Sequence, residues 1–354
     1  MGFKTALIAA IAVIFALSNW GTIFSTKFHT LQNQDVLVVT AHPDDETMFF
    51  GPTLGYLAAG RRHNRLHFLV LSNGNSEGLG ELRAQEMEQA MAYYGVPKSR
   101  VNVINSPTLQ DGMDNEWDIN EISAIVEREV EVTNAQTLIT FDSDGVSGHP
   151  NHKAVYKGCL DASLLFAADN GKFNMLTLYS VPIWRKYTFC LDAILSKFVK
   201  FGDVKYSIVS NAREYHAAKT ALSKGHKSQM VWFRQLWMLF SRYMIVNDLS
   251  EVNFVKVAAD RGDRQLAEVV KVKKDAFSIK NIRTSAIPPK GTRSQPARRV
   301  QSAKPVSQAS QASQASQASS SSTTSIEPTQ AAASEEPTQR KPVTRHAKKV
   351  HEEL

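Results

Sequence analysis

The stretch Val36-Leu37-Val38-Val39-Thr40-Ala41-His42-Pro43-Asp44-Asp45-Glu46 (VLVVTAHPDDE) decides the fold. Its first five residues are apolar or β-branched without alternation, the signature of a strand buried on both faces. The next six place a His, two Asp and a Glu at that strand's end. Adjacent carboxylates there repel and raise one another's pKa unless a cation is present, and a divalent metal resolves the conflict. An N-cap for the following helix would account for one Asp. It would leave the second Asp, the His and the Pro unexplained.

Outward from this stretch, short apolar runs alternate with helical ones. A helical stretch is expected near Thr53 to Ala59, then a strand from Leu66 to Leu71 and a helix from Glu81 to Tyr94, ended by Gly95-Val96-Pro97. A short strand follows from Val101 to Ile104, a helix from Asp118 to Val132 and a strand from Thr137 to Phe141. A helix from His152 to Ala168 and a fifth strand from Leu176 to Val181 complete the series. Such alternation predicts an α/β, Rossmann-like three-layer fold with a mainly parallel sheet, which binds ligands at the carboxyl ends of its strands.

A second polar cluster, Asp142 to His152 (DSDGVSGHPNH), follows the fourth of those strands directly. His149 and His152 lie three apart at a helix start, where they either cap the helix or present two imidazoles to one point. If the ends of the two strands share a crevice, two His and a carboxylate become a common catalytic zinc set with an open position. A nucleotide-binding module on the same sheet is excluded at the first strand, where Gly-x-Gly is missing and the loop is acidic.

The segments AHPDDE (41–46), SNGNSEGLGELRAQE (72–86) and TFDSDGVSGHPNH (140–152) together resemble the N-acetylglucosaminylphosphatidylinositol de-N-acetylases and their bacterial LmbE-like relatives. HKSQMVWFRQLWMLFSRYMIVN (226–247) is similar to the eukaryotic branch. The resemblance covers Asp35 to Asp248. It implies His42, Asp45 and His152 as ligands of a divalent metal, zinc by preference. It implies Asp44 as the general base, and His149 as the group that polarises the amide or protonates its leaving nitrogen. The implied reaction removes the acetyl group of a glycosylated phosphatidylinositol, an early step in making GPI anchors. Deacetylation of a soluble N-acetylglucosamine conjugate and a non-catalytic membrane scaffold are the competing readings.

Several neighbours stay open at this level. Arg83 either contacts the sugar or inositol phosphate, as the resemblance suggests, or pairs on a helix surface with Glu81 or Glu86. Glu46 either supports a metal ligand or merely starts a helix. Asn73-Gly74 is expected as a turn. Asp142 and Asp144 either bind substrate hydroxyls or build a Gly-rich turn. The aromatic stripe from Met230 to Tyr243, with Leu236 and Leu239 filling in, fits a core face. Its Trp and Tyr with Arg234 and Arg242 also suit a headgroup interface.

Of 354 residues, 43% are hydrophobic and 21% charged, enough for a sizeable core. The net charge of +7 belongs partly to the C-terminal region and comes with no nucleic-acid motif; an anionic membrane surface accounts for it as well. Two cysteines, Cys159 and Cys190, make neither a disulfide scaffold nor a C-x-x-C metal pair. Residues 1–27 are expected as a membrane anchor. Thr5 to Leu17 (TALIAAIAVIFAL) is apolar after Thr5, and the low-charge stretch from Lys4 to Lys27 is long enough to span. Length favours this over a cleaved signal, for which Ala16-Leu17-Ser18 offers small residues. The absence of any Asn-x-Ser/Thr acceptor favours a catalytic domain facing the cytosol, and the family resemblance implies that the single-pass anchor lies in the endoplasmic reticulum membrane. The terminal HEEL, one residue from an HDEL retrieval signal, is taken as coincidence. The catalytic domain is expected over 33–260, a linker over 261–285, and a disordered tail over 286–354, where Ser302 to Ser325 repeats Ser, Gln and Ala.

Overall fold

Strand β1 (Asp35–Thr40) is buried along all six residues, as its unbroken apolar run requires. It pairs in parallel with β2 (Arg65–Val70) on one side and β4 (Thr137–Phe141) on the other, with Val38 facing Phe68 and Ile139. The sheet order is β3-β2-β1-β4-β5-β7-β6, where β3 is Val101–Val103, β5 Asn174–Leu178, β6 Val204–Val209 and β7 Val246–Glu251. The first five strands are parallel; β7 runs antiparallel to both β5 and β6. The fold is thus a three-layer α/β architecture with a mostly parallel sheet. β6 and β7 add an antiparallel margin beyond the five strands expected from sequence.

This computed structural model describes residues 31–188, 191–198 and 202–285, together with Ile8. The expected anchor over 1–27, apart from Ile8, lies outside the described residues, as do Cys190, the Ser/Gln/Ala tail and the terminal HEEL. Among the described residues no helix is long and apolar enough to cross a membrane. Cys159 is a free, buried thiol.

The chain moves from β1 through β2 to β3, then returns to place β4 on the other side of β1. Right-handed crossovers therefore put α1 (Asp45–Leu57) and α2 (Gly80–Ala92) on one face. α3 (Ile119–Thr133) and α4 (Pro150–Asn170) cover the opposite face. The reversal between β1 and β4 is the switch point at which open α/β sheets leave a crevice. Both acidic and His-rich segments leave the sheet there.

Farther along the chain come α5 (Leu191–Phe198), α6 (Ala212–Thr220), α7 (Trp232–Phe240) and α8 (Phe254–Asp260). α6 packs on α1. The span 261–285, expected as a linker, is instead mostly helix: α9 (Arg264–Ser285) docks on α4 and buries Ala267 and Val270. Two apolar residues one turn apart give it a face to bury, which outweighs its polar composition.

Candidate metal centre

α1 begins at Asp45, eight residues before the stretch expected near Thr53, so Asp45 and Glu46 form its first turn. Asp44 takes the N-cap position at φ 111°, a left-handed conformation that strains any residue with a Cβ. Its carbonyl accepts the Thr47 and Met48 amides, and its own amide donates to Glu46 Oε2 at 2.9 Å. The His42 amide donates to Asp45 Oδ2 at 2.8 Å, tying the end of β1 to the helix. The downstream disruption at Pro52 is bridged by Asn247 of β7. Asn247 Oδ1 accepts from the Thr53 amide at 3.1 Å and its Nδ2 donates to the Phe49 carbonyl at 2.7 Å.

After β4, Asp142 accepts from the Ser180 amide and hydroxyl, both at 2.6 Å, and from the Gly145 amide. Asp142 thus organises the turn. Gly145 adopts φ 63°, and a Cβ there would stand 2.9 Å from that of His152. His152 lies on α4, its Nδ1 held at 3.0 Å from the Gly145 carbonyl and its ring stacked on Phe141 at 4.2 Å. With Nδ1 donating, Nε2 is left as an acceptor or ligand. That atom lies 3.3 Å from Asp45 Oδ2. His42, on the other side, places Nδ1 3.6 Å from the same oxygen. The three residues expected as ligands are therefore brought together: donor atoms of His42, Asp45 and His152 lie within 4.8 Å of one another, all buried.

His149 joins the cluster, its ring 5.2 Å from His42 and 4.9 Å from His152, and accepts the Asn151 amide at Nδ1. Burial pushes its pKa down to about 4, helped by the neighbouring His152 and His42. Asp45 responds oppositely: burial would raise it, but His152 and His42 hold it well below the usual carboxylate range.

Four further residues complete the surroundings. Arg83 is buried and does not pair with Glu81 or Glu86; its guanidinium donates to the Gly74 and Pro43 carbonyls at 2.7 and 2.9 Å. It also lies 3.5 Å from Asp44 Oδ2 and 3.4 Å from Asp111 Oδ2. Glu86 instead binds Ser228. Asp111, which no sequence motif singled out, sits 3.1 Å from His42 Nε2 and forms a second, overlapping set with His42 and His149. Its only sequence signal is position, on the long connection that leaves the carboxyl end of β3. Arg234 of α7 ion-pairs with Asp44 Oδ2. His226 reaches Glu46 Oε1 at 2.7 Å with both side chains fully buried, so Glu46 both starts the helix and supports the Asp44 backbone. The stripe from Met230 to Tyr243 divides: Trp237 and Met238 of α7 and Tyr243 beyond it are buried, whereas Trp232, Leu236, Leu239 and Phe240 are exposed.

Comparison with known proteins follows this geometry. The family model described as GlcNAc-PI de-N-acetylase matches residues 37–163. A protein of Schizosaccharomyces pombe named "Probable N-acetylglucosaminyl-phosphatidylinositol de-N-acetylase" is 40% identical over 250 residues, 70% of this chain and 97% of that one. The N-acetylglucosaminyl-phosphatidylinositol de-N-acetylase of Bos taurus is 39% identical over 218 residues, 60% of this chain and 82% of its own. A 1D-myo-inositol 2-acetamido-2-deoxy-alpha-D-glucopyranoside deacetylase of Thermobifida fusca is 30% identical over 151 residues, 34% of this chain and 51% of that one.

Proposed function

We infer the chemistry of this site from the family to which the chain belongs, that of the GlcNAc-PI de-N-acetylases, shared along 97% of a relative that is 40% identical. The protein is an amide hydrolase. It converts N-acetylglucosaminyl-phosphatidylinositol to glucosaminyl-phosphatidylinositol and acetate, a step of GPI-anchor biosynthesis. The observation that carries this reading is the convergence of His42, Asp45 and His152 at the β1/β4 switch point, with Asp44 beside them.

The donor set fits a divalent cation. It offers two imidazoles and one carboxylate, the Asp45 carboxyl stays ionised, and Gly145 fixes the His152 tautomer that leaves Nε2 available. Borderline nitrogen donors with one oxygen favour zinc over magnesium. Bound there, such an ion polarises the acetamide carbonyl and makes water more acidic.

The chain's own residues supply the rest. Asp44 takes the proton of the attacking water and, so protonated, returns it to the leaving nitrogen, while Arg83 and Arg234 hold its carboxyl group in place. His149, neutral above about pH 4 and hydrogen-bonded at Nδ1, carries its proton on Nε2. It can donate a hydrogen bond to the oxygen on which charge develops. This supports the polarising role over that of a resident imidazolium acid. Arg83 keeps one side of the pocket charged, consistent with an anionic headgroup. The apolar segment from Thr5 to Leu17 and the lack of Asn-x-Ser/Thr support a single-pass membrane protein with its catalytic domain toward the cytosol, and the family resemblance suggests the endoplasmic reticulum as that membrane.

The decisive experiment measures acetate release from synthetic lipid substrate by purified full chain, alongside its metal content. Asp44→Asn is expected to retain the metal and lose about 10²- to 10⁴-fold in kcat. Wild-type turnover in that variant would remove Asp44 from the mechanism, and turnover insensitive to chelation would remove the metal.

A further inference from the structure

Two exposed apolar segments stand beside the metal centre. α7 buries Trp237 and Met238 but projects Trp232, Leu236, Leu239 and Phe240, with Trp232 74% exposed. The single helical turn Ile183–Lys186 and the start of α5 present Trp184 and Leu191, 58% and 61% exposed. Tyr187 sets its ring edge-on to Trp237 with centroids 6.0 Å apart, so the two segments share a foundation. Soluble monomers rarely leave large side chains of this kind standing together.

Beneath them lies a network of four buried charges. Arg185 forks onto Asp192 at 2.7 and 2.9 Å; Arg242 bridges Asp192 at 2.5 Å and Asp248 at 2.8 Å. Desolvation cancels much of what such a network contributes to stability, while its bidentate geometry fixes the elements it joins. The network ties the Ile183–Lys186 turn and α5 to β7. The apolar side chains are therefore mounted on a rigid support.

α7 also connects this surface to the chemistry, because Arg234 on its inner side pairs with Asp44. Residues 170–191 and 215–247, which carry the exposed apolar side chains, contain no Asp or Glu; the flanking Asp192 and Asp248 are buried against Arg185 and Arg242, whereas Lys224 and Lys227 are exposed and Lys186 half-buried. The exposed side chains of these two segments are apolar, aromatic or cationic, which suits the interface of an anionic leaflet; exposed Asp144 borders the surface near Pro182.

We propose that this surface, with Trp184 and Trp232 at its centre, is where the catalytic domain lies on an anionic phospholipid bilayer. The inference rests on the lipid-substrate reading above. Acyl chains that stay in the bilayer demand that the site mouth meet the headgroup layer, and α7 brings it there.

The test uses full chain carrying Trp20→Phe, so that the N-terminal segment adds no signal, on vesicles of brominated phosphatidylcholine and phosphatidylinositol. Tryptophan fluorescence is expected to be quenched, and most of that quenching to vanish when Trp184→Phe and Trp232→Phe are added. In parallel, a variant combining Trp232→Ser, Leu236→Ser and Leu239→Ser should lose about tenfold or more in kcat/KM on vesicle-borne substrate. It should match wild type on a water-soluble headgroup lacking acyl chains. Quenching that survives removal of both tryptophans, or equal loss on the two substrates, would overturn the proposal. So would an oligomer that the serine variant dissociates, since the occupant would then be a second copy. If wild type releases acetate from neither substrate, the underlying reading fails while quenching still decides the docking surface.

Discussion

The chemistry of Asp44 and Asp45 depends on a residue that touches neither substrate nor metal ligand directly. Glu46 accepts the Asp44 amide and the Thr47 hydroxyl, and is bonded to His226 in a fully buried pair. Burial alone would lower the His226 pKa, but Glu46 overcomes it and raises the folded value above the ordinary 6.5. The sign of the linkage follows. Stabilisation from this pair is fully present below about pH 6.5 and is lost as pH rises through the higher folded value. Glu46→Ala leaves a buried imidazole without its counter-charge and frees the strained Asp44 backbone. It is expected to cost about 3–5 kcal/mol in urea denaturation at pH 6. The gap from wild type should narrow as pH is raised toward 9. A gap that widens with pH would mean that His226 is neutral in the folded protein.

At the scale of elements, the stretch 226–247 acts as a clasp on α1. His226 at its beginning bonds Glu46, Arg234 in the middle bonds Asp44, and Asn247 at its end bridges Phe49 and Thr53. Asn247 is fully buried and also accepts the Thr53 hydroxyl at 2.7 Å. Asn247→Leu strands an amide, a hydroxyl and a carbonyl beside Pro52. A loss of about 1–3 kcal/mol is expected, read as a lower urea midpoint, with metal affinity falling because α1 carries Asp45. An unchanged midpoint would show that α1 closes its own ladder across Pro52. The same clasp explains what could be read in advance. β1 and β4 were legible because both are buried on two faces and say so in unbroken β-branched runs. β7, Val-Asn-Asp-Leu-Ser-Glu, was not: its Asn and Asp are poor strand formers whose burial is justified only by partners on α1 and by Arg242. α1 starts eight residues before the expected stretch because the disruption at Pro52 is bridged from another element. His42, Asp45 and His152 came from local motifs. Asp111 and Arg234 reach the site only through tertiary placement, which leaves no periodic trace.

The whole molecule sets where the fold stops, and composition alone misjudged that limit. α9 is rich in Lys and Arg, yet it passes across the end of α4 at Gly171, which adopts φ 64°. A Cβ at Gly171 would stand 2.5 Å from the Lys273 carbonyl carbon. Lys273 Nζ donates to the Asp169 carbonyl at 2.8 Å, and Ala267 and Val270 are buried in the main core. A glycine that both caps one helix and admits the backbone of another indicates a fitted contact. Burial of these two side chains contributes about 2 kcal/mol. Ending the chain before Arg264 should therefore lower Tm by about 5 °C, whereas ending it after Ser285 should leave Tm and acetate release as in the full chain. Equal melting of both truncations would return 261–285 to the status of a linker. A drop on removing 286–354 alone would instead mean that the repeat-bearing segment contributes to the fold. Its Ser, Gln and Ala side chains supply too little apolar surface to offset their ordering, so the first boundary is the one expected to matter.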